Sequence, residues 1–168
     1  DAVRVAGLAE QLGPGAGLLV AVWLSTVASN ALAAWLTTLL APTMPPAARQ
    51  MFLAFALVLG AAELVLRRMP SVPQEPTRST GAMLLVLLVS QMTDGARLLV
   101  MAVALYTAQP ATAAAGGFLA SVAVLTCGML AGGQWLTRVP VRAGGWVMAA
   151  ILLVMGFFTG LSARGLLG

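Results

Sequence analysis

Apolar residues run along this chain in long unbroken blocks, and that pattern predicts membrane-spanning helices. Gly17–Ala41, Ala47–Leu66, Gly81–Tyr106, Ala111–Leu136 and Ala143–Ser162 carry few or no charges. Each reaches the roughly 20 residues that cross about 30 Å of hydrocarbon. Short punctuation separates them: Gly13-Pro14-Gly15, Pro42 with Pro45-Pro46, Pro110 and Pro140. Arg67–Thr80, RRMPSVPQEPTRST, is the one polar connector. Its prolines and mixed charge predict an extended, solvated linker. Ser79 and Thr80 are the N-cap candidates for the helix that follows.

An internal repeat organises these blocks. Asp1-Ala2-Val3-Arg4 matches Asp94-Gly95-Ala96-Arg97, while Pro14 matches Pro110, Ser25 matches Ser121 and Gly60 matches Gly156 at one constant offset. An apolar stretch, Gly81–Thr93, precedes Asp94, so the first transmembrane helix is expected to begin upstream of Asp1. The fold class expected is an all-α integral membrane protein of six transmembrane helices, arranged as two inverted three-helix repeats with the first helix truncated. Residues 1–66 form the first repeat, 67–80 the linker and 81–168 the second repeat. An odd number of spans per repeat reverses the second relative to the first, a construction typical of transporters.

Composition agrees with this reading. Hydrophobic residues make up 60% of the chain and charged residues 8%, against about 25% charged in a soluble domain. Mean hydropathy is +0.97. Every basic residue is Arg, which together with abundant Ala and Gly is read as the coding bias of a GC-rich bacterial genome. The bacterial inner membrane is therefore the expected location, and the lipid bilayer is the expected partner. Arg67, Arg68, Arg78, Arg138 and Arg142 fall on one side of the membrane; Arg49 and Arg164 fall on the other. The positive-inside rule then places the linker in the cytoplasm. Because most of the arginines sit at helix ends, the high isoelectric point argues for membrane topology and against nucleic acid.

Several chemistries are absent from the sequence. Without His, a His-ligated haem or zinc site within the chain is excluded. Cys127 is the single cysteine and lies in an apolar run. No nucleophile elbow or P-loop is present, so no enzyme is expected.

The informative stretch is Ser90–Arg97, SQMTDGAR, in the middle of an apolar block. Asp and Arg each cost about 2.5–3.5 kcal/mol at a helix centre. Residues of this kind face the bundle interior and mark functional sites by default. Asp1 and Asp94 occupy equivalent places in the two repeats and are the candidate ion ligands, with Gln91 and Thr93 beside Asp94. Two carboxylates with carbonyls and hydroxyls suit a hard cation such as Ca²⁺ or Mn²⁺; they also suit proton exchange. The competing reading is internal pairing, since Arg4 and Arg97 each follow an Asp by three residues on the same helical face. Ser29 and Asn30, with Ser25 and Thr26, are candidates to line a cavity or to make interhelical hydrogen bonds. Glu63 has Arg67 four residues on, which predicts an interfacial pair. Gly156–Gly160 fits close small-residue helix packing.

With these residues in view, the chain resembles the Golgi-type manganese/calcium–proton exchangers, of the yeast Gdt type and human transmembrane protein 165, with their bacterial relatives. That family has two inverted three-helix repeats, each with Glu-φ-Gly-Asp-Lys/Arg-Thr/Ser in its first helix. The likeness is strongest over QMTDGARLLVMAVALYTAQPATAAAGGFLASVAV. Asp94 and Asp1 match the motif Asp, while Gln91, Thr93, Gly95 and Ala96 replace Glu, Gly, the basic residue and the hydroxyl residue. The resemblance implies divalent-cation/proton antiport, with Mn²⁺ or Ca²⁺ as cargo. The departures keep open a second reading, a transport-inactive accessory or structural subunit of a larger membrane complex.

Overall fold

The computed structural model describes residues 5–6, 9, 16–66, 79–131 and 141–166. Six α-helices account for most of them. These are α1 (Ala16–Leu40), α2 (Pro46–Leu66), α3 (Thr80–Met92), α4 (Gly95–Thr107), α5 (Pro110–Ala131) and α6 (Val141–Ala163). A 3₁₀ turn, Ala41–Thr43, follows α1. Among the described residues four helices are long and apolar enough to cross a membrane, and α3 with α4 makes a fifth span if the pair is counted as one.

The polarity of the bundle is that of a membrane protein. Large apolar side chains face outward: Phe55, Leu59, Leu119, Trp146 and Phe157 are all exposed. The buried positions hold small or polar residues alongside a modest apolar cluster. Leu18 and Val22 of α1, Met83 and Leu87 of α3, and Leu125 and Met129 of α5 form that cluster, with Val5 and Ala9. Trp35, Tyr106 and Trp146 point outward, as an aromatic belt requires.

Helix α1 is the axis of the fold and packs against α3, α4 and α5. Its buried residues are Leu18, Ala21, Val22, Ser25, Thr26, Ser29, Asn30, Ala33 and Thr37. That spacing follows the helical period, so one continuous stripe faces inward. Within the stripe, Thr26 Oγ1 donates to Val22 O at 2.7 Å, and Thr37 Oγ1 to Ala33 O at 2.9 Å. Such back-bonding satisfies hydroxyls where no water is at hand. Helix α2 packs against α4 and, most extensively, against α6.

The block Gly81–Tyr106, expected as one span, is two half-helices bent by 57°. Thr93 and Asp94 form the break. Asp94 has φ −83° and ψ 133°, an extended conformation that ends the helical ladder. Thr93 Oγ1 donates to the carbonyls of Val89 and Ser90 at 3.1 Å each and so occupies the end of α3. At the other end of α3, Ser79 holds the N-cap position, but its side chain makes no capping bond.

The α2/α6 contact is close because Gly156 has no side chain. A Cβ there would meet Val58 Cγ2 at 3.0 Å, Ala54 O at 3.1 Å and Leu57 Cβ at 3.2 Å. Gly156→Val is therefore expected to lower stability by about 1–3 kcal/mol through overpacking. Gly144 has nothing within 4 Å of the same position, so Gly144→Val on the same helix should leave stability close to wild type. Unfolding in mixed micelles compares the two. Equal stability of both variants would contradict the packing described.

Candidate functional site

The polar residues of the SQMTDGAR stretch are divided by the break. Gln91, before it, turns into the bundle, while Thr93 and Asp94, at it, line a cleft. Gln91, on the last turn of α3, is fully buried. Its Nε2 donates to Ser25 Oγ at 3.0 Å and to Thr26 Oγ1 at 3.3 Å. Its Oε1 accepts from Ser29 Oγ at 2.9 Å and from Arg97 Nη2 at 3.0 Å. In a bilayer these groups have no water to fall back on, so each needs a protein partner.

Arg97, on the first turn of α4, is buried and reaches three other helices. Nε donates to Ser29 Oγ of α1 at 2.9 Å, Nη1 to Ser121 Oγ of α5 at 3.0 Å, and Nη2 to Gln91 of α3. The bend brings this about, because it aims the start of α4 at the polar stripe of α1. The backbone carbonyl of Asp94 accepts from Arg97 N at 3.0 Å. The Asp94 carboxylate also caps α4, with Oδ1 accepting from Ala96 N at 3.5 Å.

Glu63 supplies the other acidic group at the break. Its Oε2 accepts from Gly95 N at 2.7 Å. Two carboxylates, from α2 and from the break itself, thus receive the first free N–H groups of α4. A helix N-terminus favours negative charge at this place. Gly95 permits the approach: a Cβ on it would collide with Glu63 Oε2. Arg67, the partner expected for Glu63, lies outside the described residues. Sequence reasoning gave Glu63 no role in the site; the only signal for it was the glycine opposite.

A cleft of about 320 Å³ opens at the break. Glu63, Thr93, Asp94, Gly95 and Arg97 line its polar side, and Leu36, Leu59, Leu98 and Met101 are among its apolar walls. Thr93 and Asp94, the ion-ligand candidates of the sequence, line this cleft. Ser29 and Asn30 are placed behind the cleft, in the packed network. Asn30 Nδ2 donates to Thr26 O at 2.8 Å, and Asn30 Oδ1 has no hydrogen-bond partner among the described residues. Asp1 and Arg4 lie outside the described residues. Among the described residues no three or more His, Cys, Asp or Glu side chains gather to hold a metal.

Two substitutions probe this arrangement. Gln91→Leu strips partners from Arg97, Ser25, Thr26 and Ser29 together, and is expected to cost about 1–3 kcal/mol, since it leaves buried donors unsatisfied. Gly95→Ala should displace the Glu63 carboxylate and loosen α2 from α4, whereas Gly116→Ala, with open space at that position, should not destabilise. Unfolding in micelles measures both effects, and a Gly95→Ala protein as stable as Gly116→Ala would remove the Glu63–Gly95 contact from the account. Compared with known proteins, this chain matches no family model, no curated protein and no solved structure.

Proposed function

We propose that this chain is a polytopic membrane carrier that exchanges a cation for protons, a divergent counterpart of the manganese/calcium–proton exchangers its motif helix resembles. The observation that carries the reading is the interrupted span. Carboxylates from two different elements, Glu63 and Asp94, meet the N-terminus of a half-helix at an open cleft. Discontinuous helices and ionisable groups within the membrane are how secondary transporters build their sites. Glu63 and Asp94 take up the proton or the cargo in this reading, and Thr93 offers a hydroxyl at the same cleft. A hard divalent cation such as Mn²⁺ or Ca²⁺ would complete its oxygen shell from carbonyls, hydroxyls and water. Support for the inverted repeat comes from Ser25 and Ser121: the sequence pairs them, and both sit in the central network.

A specific observation favours the alternative, an accessory or structural subunit without transport. The Arg97 guanidinium already binds oxygens from α1, α3 and α5, so the centre of the bundle holds a cation belonging to the chain itself.

Reconstitution into sealed vesicles with an internal pH dye separates the two. Under an imposed Mn²⁺ or Ca²⁺ gradient, the carrier reading expects proton counterflow that Glu63→Gln and Asp94→Asn each abolish. Asn caps helices about as well as Asp, and Arg97 keeps its three neutral partners, so Asp94→Asn should remain folded and abundant. A wild-type protein that moves no cation under any gradient overturns the carrier reading in favour of the subunit.

The same proposal places the chain in the bacterial inner membrane with its linker in the cytoplasm, supported by the arginine asymmetry. Ser79 and Ser162 are both exposed, at opposite ends of their respective spans. With single cysteines introduced in a Cys127→Ala background, a membrane-impermeant reagent added outside should label Ser162→Cys and spare Ser79→Cys. The reverse pattern inverts the topology.

A further inference from the structure

Three oxygens converge on the Arg97 guanidinium, each from a different helix: Ser29 Oγ, Gln91 Oε1 and Ser121 Oγ, all within 3.0 Å. Two of the three are oriented by bonds that do not involve Arg97. The Gln91 amide is fixed by its donation to Ser25 and Thr26, which turns Oε1 toward the guanidinium. The Ser29 hydroxyl donates to Gln91 Oε1, leaving its oxygen to accept from Nε. The acceptors are thus set in place by α1 and α3, while the cation arrives from α4. Arg97 also lines the cleft, so cutting its side chain back would join the oxygen cluster to that opening.

We propose that Ser29, Gln91 and Ser121 form a preorganised binding site for a planar guanidinium-type cation, and that Arg97 is its tethered occupant. Removal of the side chain should then leave a site that a free guanidinium ion enters from the cleft. Planar, forked N–H donors match this set of acceptors, whereas a compact ammonium presents a single point of charge. The proposal concerns binding and holds whether or not the chain transports.

The test uses the full chain purified in detergent, with Arg97→Ala compared to wild type in thermal unfolding followed by tryptophan fluorescence. Millimolar guanidinium chloride, far below denaturing levels, is titrated against equal ionic strength of NaCl and against urea, a neutral molecule of the same shape. A ligand that binds only the folded state raises the midpoint in a saturable way. The expected result is such a rise for Arg97→Ala with guanidinium alone, none in wild type, and none in Arg97→Ala combined with Gln91→Leu. No response, or the same response to urea or NaCl, overturns the proposal. If Arg97→Ala does not accumulate, Arg97→Lys carries the test. It keeps the charge but loses the fork, so its midpoint should fall below wild type, and a midpoint equal to wild type overturns the site.

Discussion

A permanently charged guanidinium in the middle of an apolar bundle has to be surrounded by acceptors, and much of this structure serves that need. Arg97 donates to α1, α3 and α5 at once. Insertion of an Arg at a helix centre costs about 2.5–3.5 kcal/mol, and the cost is offset only where its donors are met. The polar stripe of α1 meets them, directly through Ser29 and indirectly through Ser25 and Thr26, which hold Gln91. Helices that share no hydrophobic driving force in lipid are thereby tied at their centre. Small residues and close contacts, such as Gly156 against α2, complete the packing elsewhere.

The break between α3 and α4 follows from the same requirement. A straight helix through Thr93 and Asp94 would leave Gln91 and Arg97 six residues apart on one rod, pointing in directions set by the helical period. The 57° bend lets the Gln91 amide and the guanidinium meet in a single network. Bending exposes N–H groups at the start of α4, and these need acceptors in turn. Asp94 and Glu63 supply them. The cleft is the space left beside this joint, which is why its polar lining is the set of residues that make the joint.

The membrane character and the helical blocks were legible in the sequence because they rest on local composition. Uninterrupted apolar runs of this length admit few other structures. The strategic position of SQMTDGAR was legible too, since charge in such a run is costly wherever it falls. What could not be read was direction. From sequence alone, the nearest partner for Arg97 is Asp94, three residues away; that the guanidinium also reaches Ser29 and Ser121 depends on the bend. Glu63 was hidden for a different reason. Its acceptor role is toward a backbone N–H 32 residues away, and a backbone group has no side-chain signature. Arg67, four residues on, offered a simpler local pairing.

The identity of residue 91 shows how the charges at this joint are balanced. A Glu there would place a carboxylate directly against the Arg97 guanidinium, and the buried pair would be neutral in itself. Gln91 accepts from Arg97 without cancelling its charge, and its amide nitrogen can donate to Ser25 and Thr26, which a carboxylate cannot do. The acidic groups nearest this charge, Asp94 and Glu63, stand with Arg97 around the cleft. Glu63 answers the partial positive charge of the α4 N-terminus. The network at the centre is held by direct hydrogen bonds, while the two carboxylates stand at the cleft beside it. In the proposed carrier, that separation of a buried cation from the carboxylates lets one joint tie the helices together and still offer acidic groups to an exchangeable positive charge.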